Sequence, residues 1–340
     1  MSKFLEVTNL NVTFPTADGD VHASNEVSYS VGLGETLAIV GESGSGKSVS
    51  NLAVMGLHNV TRTKITGSAI LNLSDGPVDL ISASPETVRR LRGKEMSMIF
   101  QDPMSALHPF FSIGDQIAEA WHLYNKGSKS DGIKKAIEML DLVGIPDASV
   151  RVHDFPHQFS GGMRQRAMIA MALVNNPSLL IADEPTTALD VTVQSQILKL
   201  LKDLQNEFNM AIILITHDLG VVAEVADRIC VMYGGRIVED GSVEDIFYRP
   251  EHPYTLGLLN SVPRITSGLS HRLRAIPGQP PSLINLPSGC SFQPRCEYSS
   301  RVSSGACTES VPALNDKGSG HLSRCHLDIA DLNDLVKDKA

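Results

Sequence analysis

The stretch Thr36-Leu-Ala-Ile-Val-Gly-Glu-Ser-Gly-Ser-Gly-Lys-Ser48 decides how the rest of the chain is read. Its first five residues are mostly apolar and too few for a helix, as in a strand covered on both faces. Gly41 to Ser48 then fits G-x-x-x-x-G-K-[ST], a loop whose meaning depends on following a strand. The glycines let successive backbone N–H groups turn inward and form a nest for the β- and γ-phosphates of a nucleotide. The next helix aims its N-terminus at them, Lys47 adds positive charge, and the Ser48 hydroxyl can ligate Mg²⁺. Gly41, Ser43, Gly44, Ser45, Gly46, Lys47, Ser48 and Val49 are therefore the candidate nucleotide-binding residues. A flexible Gly/Ser loop would share this composition, but the strand before it argues for phosphate binding.

Outward from that loop, short apolar strands alternate with amphipathic helices as far as about Gly241. Strand candidates are Thr36–Val40, Met96–Phe100, Leu179–Asp183, Ala211–Thr216 and Ile229–Met232. One helix sets Ile197, Leu200, Leu201, Leu204 and Phe208 on a stripe, and another does so with Ile133, Ile137 and Leu140. Such alternation predicts an α/β fold with a mainly parallel sheet wound on both faces. Thr8–Tyr29 reads instead as shorter alternating strands about an Asp18-Gly19 turn, an antiparallel β layer. From about Gln101 to Gln158 the pattern is helix-rich, a helical subdomain.

Leu179-Leu-Ile-Ala-Asp-Glu184 ends an apolar strand in two carboxylates, at the sheet edge where ligands of open α/β sheets sit. Asp183 is placed to hold Mg²⁺ through water. Glu184 is placed to take a proton from, or orient, a water attacking the γ-phosphate. A strand can end in polar residues for no catalytic reason, but behind a phosphate loop the catalytic reading wins.

Phe159-Ser-Gly-Gly-Met-Arg-Gln-Arg166 precedes that strand. Together with Gln101 after Met98-Ile-Phe100, Thr187-Ala-Leu-Asp190 and His217, in this order, it resembles the ATP-binding-cassette family over about residues 5–245. The family signature most often reads Leu-Ser-Gly-Gly-Gln; here it is Phe-Ser-Gly-Gly-Met, with Ser160, Gly161 and Gly162 intact. The resemblance implies a cassette over 1–245, with its helical subdomain at about 102–175. It also implies two cassettes paired head to tail, each ATP lying between one phosphate loop and the partner's Ser-Gly-Gly. Gln101 would contact Mg²⁺ or the lytic water, Asp190 would lie at the dimer seam, and His217 would touch the γ-phosphate. Phe14 matches the adenine-stacking aromatic, although a Phe in a β layer is often simply core.

After Gly241 the texture changes. Pro250, Pro253, Pro263, Pro277, Pro280, Pro281, Pro287 and Pro294 break any long regular element, and Cys325 to Ala340 reads as a charged, frayed helix. Arg249-Pro-Glu-His-Pro-Tyr-Thr255, Ser261-Val-Pro263, Gly289-Cys-Ser-Phe-Gln-Pro-Arg-Cys296 and Cys325-His-Leu327 resemble the ATPase subunits of bacterial dipeptide and oligopeptide importers. That makes 246–340 a small, irregular, Cys-containing C-terminal extension. The resemblance implies two membrane-spanning permease subunits, a second, non-identical ATPase, and an extracytoplasmic substrate-binding protein reached indirectly. It places the chain peripherally at the cytoplasmic face of the bacterial inner membrane. Import of nickel or another substrate by the same machinery stays open.

Of the 5 cysteines, Cys230 stands in an apolar segment and reads as core. Cys290, Cys296, Cys307 and Cys325, separated by 5, 10 and 17 residues, form a group unlike a zinc ribbon or a ferredoxin run. Four thiolates suit Zn²⁺ or an Fe–S cluster, and softness alone does not choose. The resemblance favours a 4Fe–4S cluster; the Cys296–Cys307 interval is a few residues longer than it leads one to expect.

The composition, 42% hydrophobic and 20% charged, is that of a folded globular protein. Twenty-nine Lys plus Arg against 38 Asp plus Glu leave a net charge of −9, which disfavours a nucleic-acid-coating role. A soluble ABC-type ATPase acting on nucleic acid or the ribosome is the rival reading. Such chains usually carry two cassettes or a long coiled coil between their motifs. No apolar run reaches the roughly 18–20 residues that span a bilayer. The opening MSKFLEVTNLNVTF alternates like a strand and shows no signal-peptide core, which points to the cytosol.

Overall fold

The computed structural model describes residues 3–187, 189–261, 276–302, 305–316 and 320–328. Ala188, Pro263 and nearly all of the expected C-terminal helix lie outside them. The chain forms two compact units: one of residues 1–4, 31–36 and 83–215, the other of 5–30, 37–82 and 216–340.

The second unit holds most of the antiparallel layer, in the order β2 (Gly19–Gly32), β1 (Lys3–Thr16), β4 (Lys64–Leu73), β5 (Gly76–Asp79). β1 and β2 are each 14 residues long, more than their alternation predicts. A bulge explains the length. The register of β1 against β4 slips between Thr8 and Asn11, with Asn9 at φ 49°. Inward positions pass from odd, Leu5 and Val7, to even, Leu10 and Val12, so the apolar side stays buried across the slip.

The same unit contains β3 (Thr36–Val40), parallel to β9 (Arg228–Tyr233), which pairs antiparallel with β10 (Arg236–Ser242). Two short strands, β11 (Asn315–Asp316) and β12 (Leu322–Ser323), extend β10. Helices α1 (Lys47–Val54), α9 (Leu219–Val225), α10 (Val243–Tyr248), α11 (Pro253–Asn260) and α12 (Ala306–Glu309) complete it. Within the described residues the proline-rich tail forms one small cluster of its own, Leu256 and Leu327 with Tyr298, Val302 and Cys325 against them. Tyr254 and Phe292 pack among Val40, Val231, Tyr233 and Ile246, so the tail's few aromatics complete the core of the strands before it.

Beneath that tail lies a buried polar knot. The Glu239 carboxylate accepts the backbone N–H groups of Glu251 (2.6 Å) and His252 (3.1 Å) and meets His321 Nε2 at 2.8 Å. Burial opposes protonation of His321, but the hydrogen bond and charge of Glu239, with Glu251 and Asp245, outweigh it and raise its pKa. A histidine raised on folding stabilises below its unfolded value of about 6.5 and loses that contribution as pH rises through the folded value. His321→Asn should therefore lower Tm most near pH 6 and progressively less toward pH 9, as read by thermal melts across that range.

The first unit sets β6 (Met96–Ile99), β7 (Leu179–Asp183) and β8 (Ala211–Thr216) in parallel register, each strand almost wholly buried. Around them run α2 (Pro85–Leu91), α3 (Pro103–Ala106), α4 (Ile113–His122), α5 (Lys129–Leu142), α6 (Ala148–Arg151), α7 (Gly161–Leu173) and α8 (Val191–Phe208). The buried face of α5 is Gly132, Ala136, Met139 and Leu140, one position away from the Ile133–Ile137 stripe. A Cβ at Gly132 would lie 3.0 Å from Ala118 Cβ and 2.5 Å from His122 Nε2, so α4 and α5 pack close on small residues. On α8 the buried set is Ile197, Leu198, Leu201, Leu204 and Gln205, while Leu200 and Phe208 are half-exposed.

Candidate functional site

The phosphate loop runs from the end of β3 into α1, as its sequence requires. Two of its glycines are demanded by close approach. A Cβ on Gly41 would overlap the Met232 carbonyl oxygen, and one on Gly46 the Ala23 carbonyl oxygen. Gly46, the residue before α1, also has φ 99°. Lys47 is buried, and its Nζ donates to the carbonyls of Gly41 (2.7 Å) and Glu42 (3.0 Å), across the mouth of the loop. Ser45 is buried, Ser48 and Val49 are half-buried, and Ser43 and Gly44 are exposed. The first turn of α1 is fixed from below: Asn51 Nδ2 donates to the Lys47 carbonyl at 2.9 Å and Tyr29 Oη donates to Asn51 Oδ1 at 3.0 Å. Burial pushes the Tyr29 phenol well up, so it stays a donor. In this unit Phe14 is half-buried, edge-on to His58 at 5.4 Å, and His217 is exposed just after β8.

In the other unit, three predicted features meet at one carboxylate. Glu184 Oε2 accepts from Gln101 Nε2 at 2.9 Å and from Thr187 Oγ1 at 2.8 Å. Glu184 follows the buried Asp183 at the end of β7 and has φ 46°, with its N–H on the Ile215 carbonyl at 2.9 Å. A non-glycine residue in that region is a form of backbone strain that clusters at working sites. Ser160 caps α7, accepting from the Met163 N–H at 3.3 Å, and Asp190 caps α8, accepting from Val193 at 3.0 Å. The two helix starts lie side by side: a Cβ on Gly162 would stand 2.8 Å from Val193 Cγ1, and one on Gly161 3.7 Å from Leu189. Phe159 is buried, so its replacement of the usual leucine keeps an apolar anchor before the Ser-Gly-Gly turn.

The segment after β6 exposes apolar area, with Phe110 at 81%, Phe111 at 55% and Met104 at 47%. Sequence reasoning did not find Thr187 as a partner of Glu184. Nor did it find the residues that hold the phosphate loop at Glu42, namely Arg295 and Tyr254, because those contacts join positions more than 200 residues apart.

The four tail cysteines, Cys290, Cys296, Cys307 and Cys325, line one pocket with His252, Phe292 and His326. Burial pushes the Cys296 thiol up to about 11 and raises those of Cys290 and Cys307. The donor set suits a soft metal or a cluster. Even so, among the described residues no group of three or more His, Cys, Asp or Glu is arranged to hold a metal ion. No helix among the described residues is long and apolar enough to cross a membrane.

Known proteins resemble this chain along nearly its whole length. Residues 24–187 match the family model described as ABC transporter, and residues 238–302 match the oligopeptide/dipeptide transporter C-terminal region. The chain is 49% identical over 328 residues to the oligopeptide transport ATP-binding protein OppD of Salmonella typhimurium, covering 96% of this chain and 95% of that protein. It is 53% identical over 302 residues to OppD of Bacillus subtilis, covering 89% and 84%. Among solved structures, the ATP-binding cassette MJ0796, a dimer in a post-hydrolysis state bound to ADP and Pi, superposes with a TM-score of 0.62. That likeness is at 26% identity over 70% of this chain and 98% of that one. The cassette cbiO1 of Clostridium perfringens gives 0.61 at 29% identity, over 74% and 93%.

Proposed function

Since the chain belongs to the ATP-binding subunits of ABC transporters, we propose that it hydrolyses ATP to power uptake of oligopeptides or dipeptides through a membrane importer. The observation that carries this reading is the likeness to oligopeptide transport ATPases along nearly the whole chain, tail region included. Lys47 and the loop N–H groups bind the phosphates, and Phe14 stacks on the adenine. Ser48, Gln101 and Asp183, the last through water, would hold Mg²⁺, which would offset the charge of the phosphates. Glu184 takes the proton of the attacking water, and Gln101 and Thr187 fix its carboxylate. His217 contacts the γ-phosphate. Ser160, Gly161 and Gly162 meet the nucleotide of a facing cassette, with Asp190 at the seam.

The chain is then a cassette over 1–245, with its helical subdomain at about 102–175, and a peptide-importer-type extension over 246–340. The facing cassette is a related, non-identical ATPase. The exposed Phe110 and Phe111 suit the surface around Gln101–Ile113 to two membrane-spanning subunits, which would hold the chain at the cytoplasmic face of a bacterial inner membrane. A 4Fe–4S cluster, with Zn²⁺ as the alternative, is the group for Cys290, Cys296, Cys307 and Cys325; it would supply a cross-link that staples the tail. Isolation of the full chain from membranes tests this: the permease subunits, a second ATPase and a brown chromophore should accompany it. Recovery without membrane partners would contradict the transport reading, and colourless protein with bound zinc would decide the tail site for zinc.

A further inference from the structure

Glu42 is the second residue of the phosphate loop, and it is an awkward one: it puts a carboxylate beside the place where a polyphosphate binds. The tail answers that charge. Arg295 Nη1 lies 2.6 Å from Glu42 Oε2 and Nη2 lies 3.0 Å from Oε1, a bidentate pair. The guanidinium is itself fixed, donating from Nε to the Pro277 carbonyl at 2.8 Å and from Nη1 to Tyr233 Oη at 3.3 Å, with its side chain only 5% exposed. A second brace comes from α11, where the buried Tyr254 Oη accepts the Glu42 N–H at 2.8 Å. The backbone so held is the one that organises the loop: the Glu42 carbonyl accepts Lys47 Nζ at 3.0 Å and the Ser45 N–H at 3.2 Å. Resting on the reading of this loop as the ATP site, we infer that Arg295 is a positioning residue for nucleotide binding, acting from the C-terminal extension by neutralising and orienting Glu42.

The sign of the effect separates this role from simple packing. With Arg295 made neutral, the Glu42 carboxylate repels the incoming phosphates, and removing that carboxylate as well relieves the repulsion. Binding of a fluorescent ATP analogue to the full-length chain measures it. Arg295→Gln should weaken affinity by about tenfold, Arg295→Lys should restore most of it, and Arg295→Gln with Glu42→Gln should recover toward the parent. In the assembled transporter the same loss should raise KM for ATP and leave kcat within about twofold, since chemistry at Glu184 is untouched. If Arg295→Gln does not fold, Tyr254→Phe, which removes only the oxygen that accepts the Glu42 N–H, should weaken binding in its place. Affinity unchanged in Arg295→Gln, or a loss that Glu42→Gln does not relieve, overturns the inference and leaves the ATPase reading standing. A parent chain that does not bind the analogue overturns both.

Discussion

Glu184→Gln should cut ATP turnover by roughly 10²–10⁴-fold while ATP affinity stays within about twofold, as expected when a positioned proton acceptor is lost without its geometry. The hydrogen bonds from Gln101 and Thr187 reach a single oxygen, Oε2, and the amide oxygen of a glutamine can accept them. The strained backbone at φ 46° and the N–H bond to Ile215 do not depend on the side chain's charge. The nucleotide is gripped by the loop before α1, so binding survives. ATP trapped without hydrolysis should also hold two cassettes together longer, which size-exclusion chromatography with and without ATP will show. Substantial turnover in the variant transporter would mean that another group takes the proton.

The second large effect belongs to Gly46→Ala. Two independent costs coincide there. At φ 99° a side chain is strained by about 1–3 kcal/mol. In addition, its Cβ would overlap the carbonyl oxygen of Ala23, which is main chain and has no rotamer to yield. The loop must move, and with it Lys47 and the first turn of α1, so ATP binding should fall by roughly 100-fold or more and Tm by several degrees. Lys47→Ala helps separate the two consequences: it removes the charge that meets the phosphates without a backbone clash, so affinity falls while Tm, lowered by the loss of the bonds to the Gly41 and Glu42 carbonyls, falls less than in Gly46→Ala. Differential scanning fluorimetry with and without ATP distinguishes them. A Gly46→Ala chain that gains the full ATP-induced shift of the parent would refute this account of the loop.

How far the sequence reached depends on how local each signal is. β3, β7 and β8 match their expected bounds to the residue, because buried parallel strands are bare apolar runs ended by turns. The positions of the loop between β3 and α1 and of Glu184 just after β7 were legible because a motif of restricted residue types at fixed spacing marks where a strand ends. The length of β1 was not, since a bulge at Asn9 breaks the alternation that a strand is read by. On α5 the apolar stripe pointed to the isoleucines, while close packing on α4 selected Gly132 and Ala136. The bracing of Glu42 was beyond reach: Arg295 and Tyr254 sit in a proline-rich tail whose own pattern predicts little order. Only the folded core around Tyr233 and Phe292 brings them to the loop.

Cleavage of ATP at this chain should drive peptide movement across a membrane. The most direct measurement is uptake of a labelled peptide into vesicles holding the complete transporter, its binding protein and ATP, with the parent chain or Glu184→Gln. Accumulation should depend on ATP with the parent and stay at background with the variant. Equal accumulation with both would contradict it.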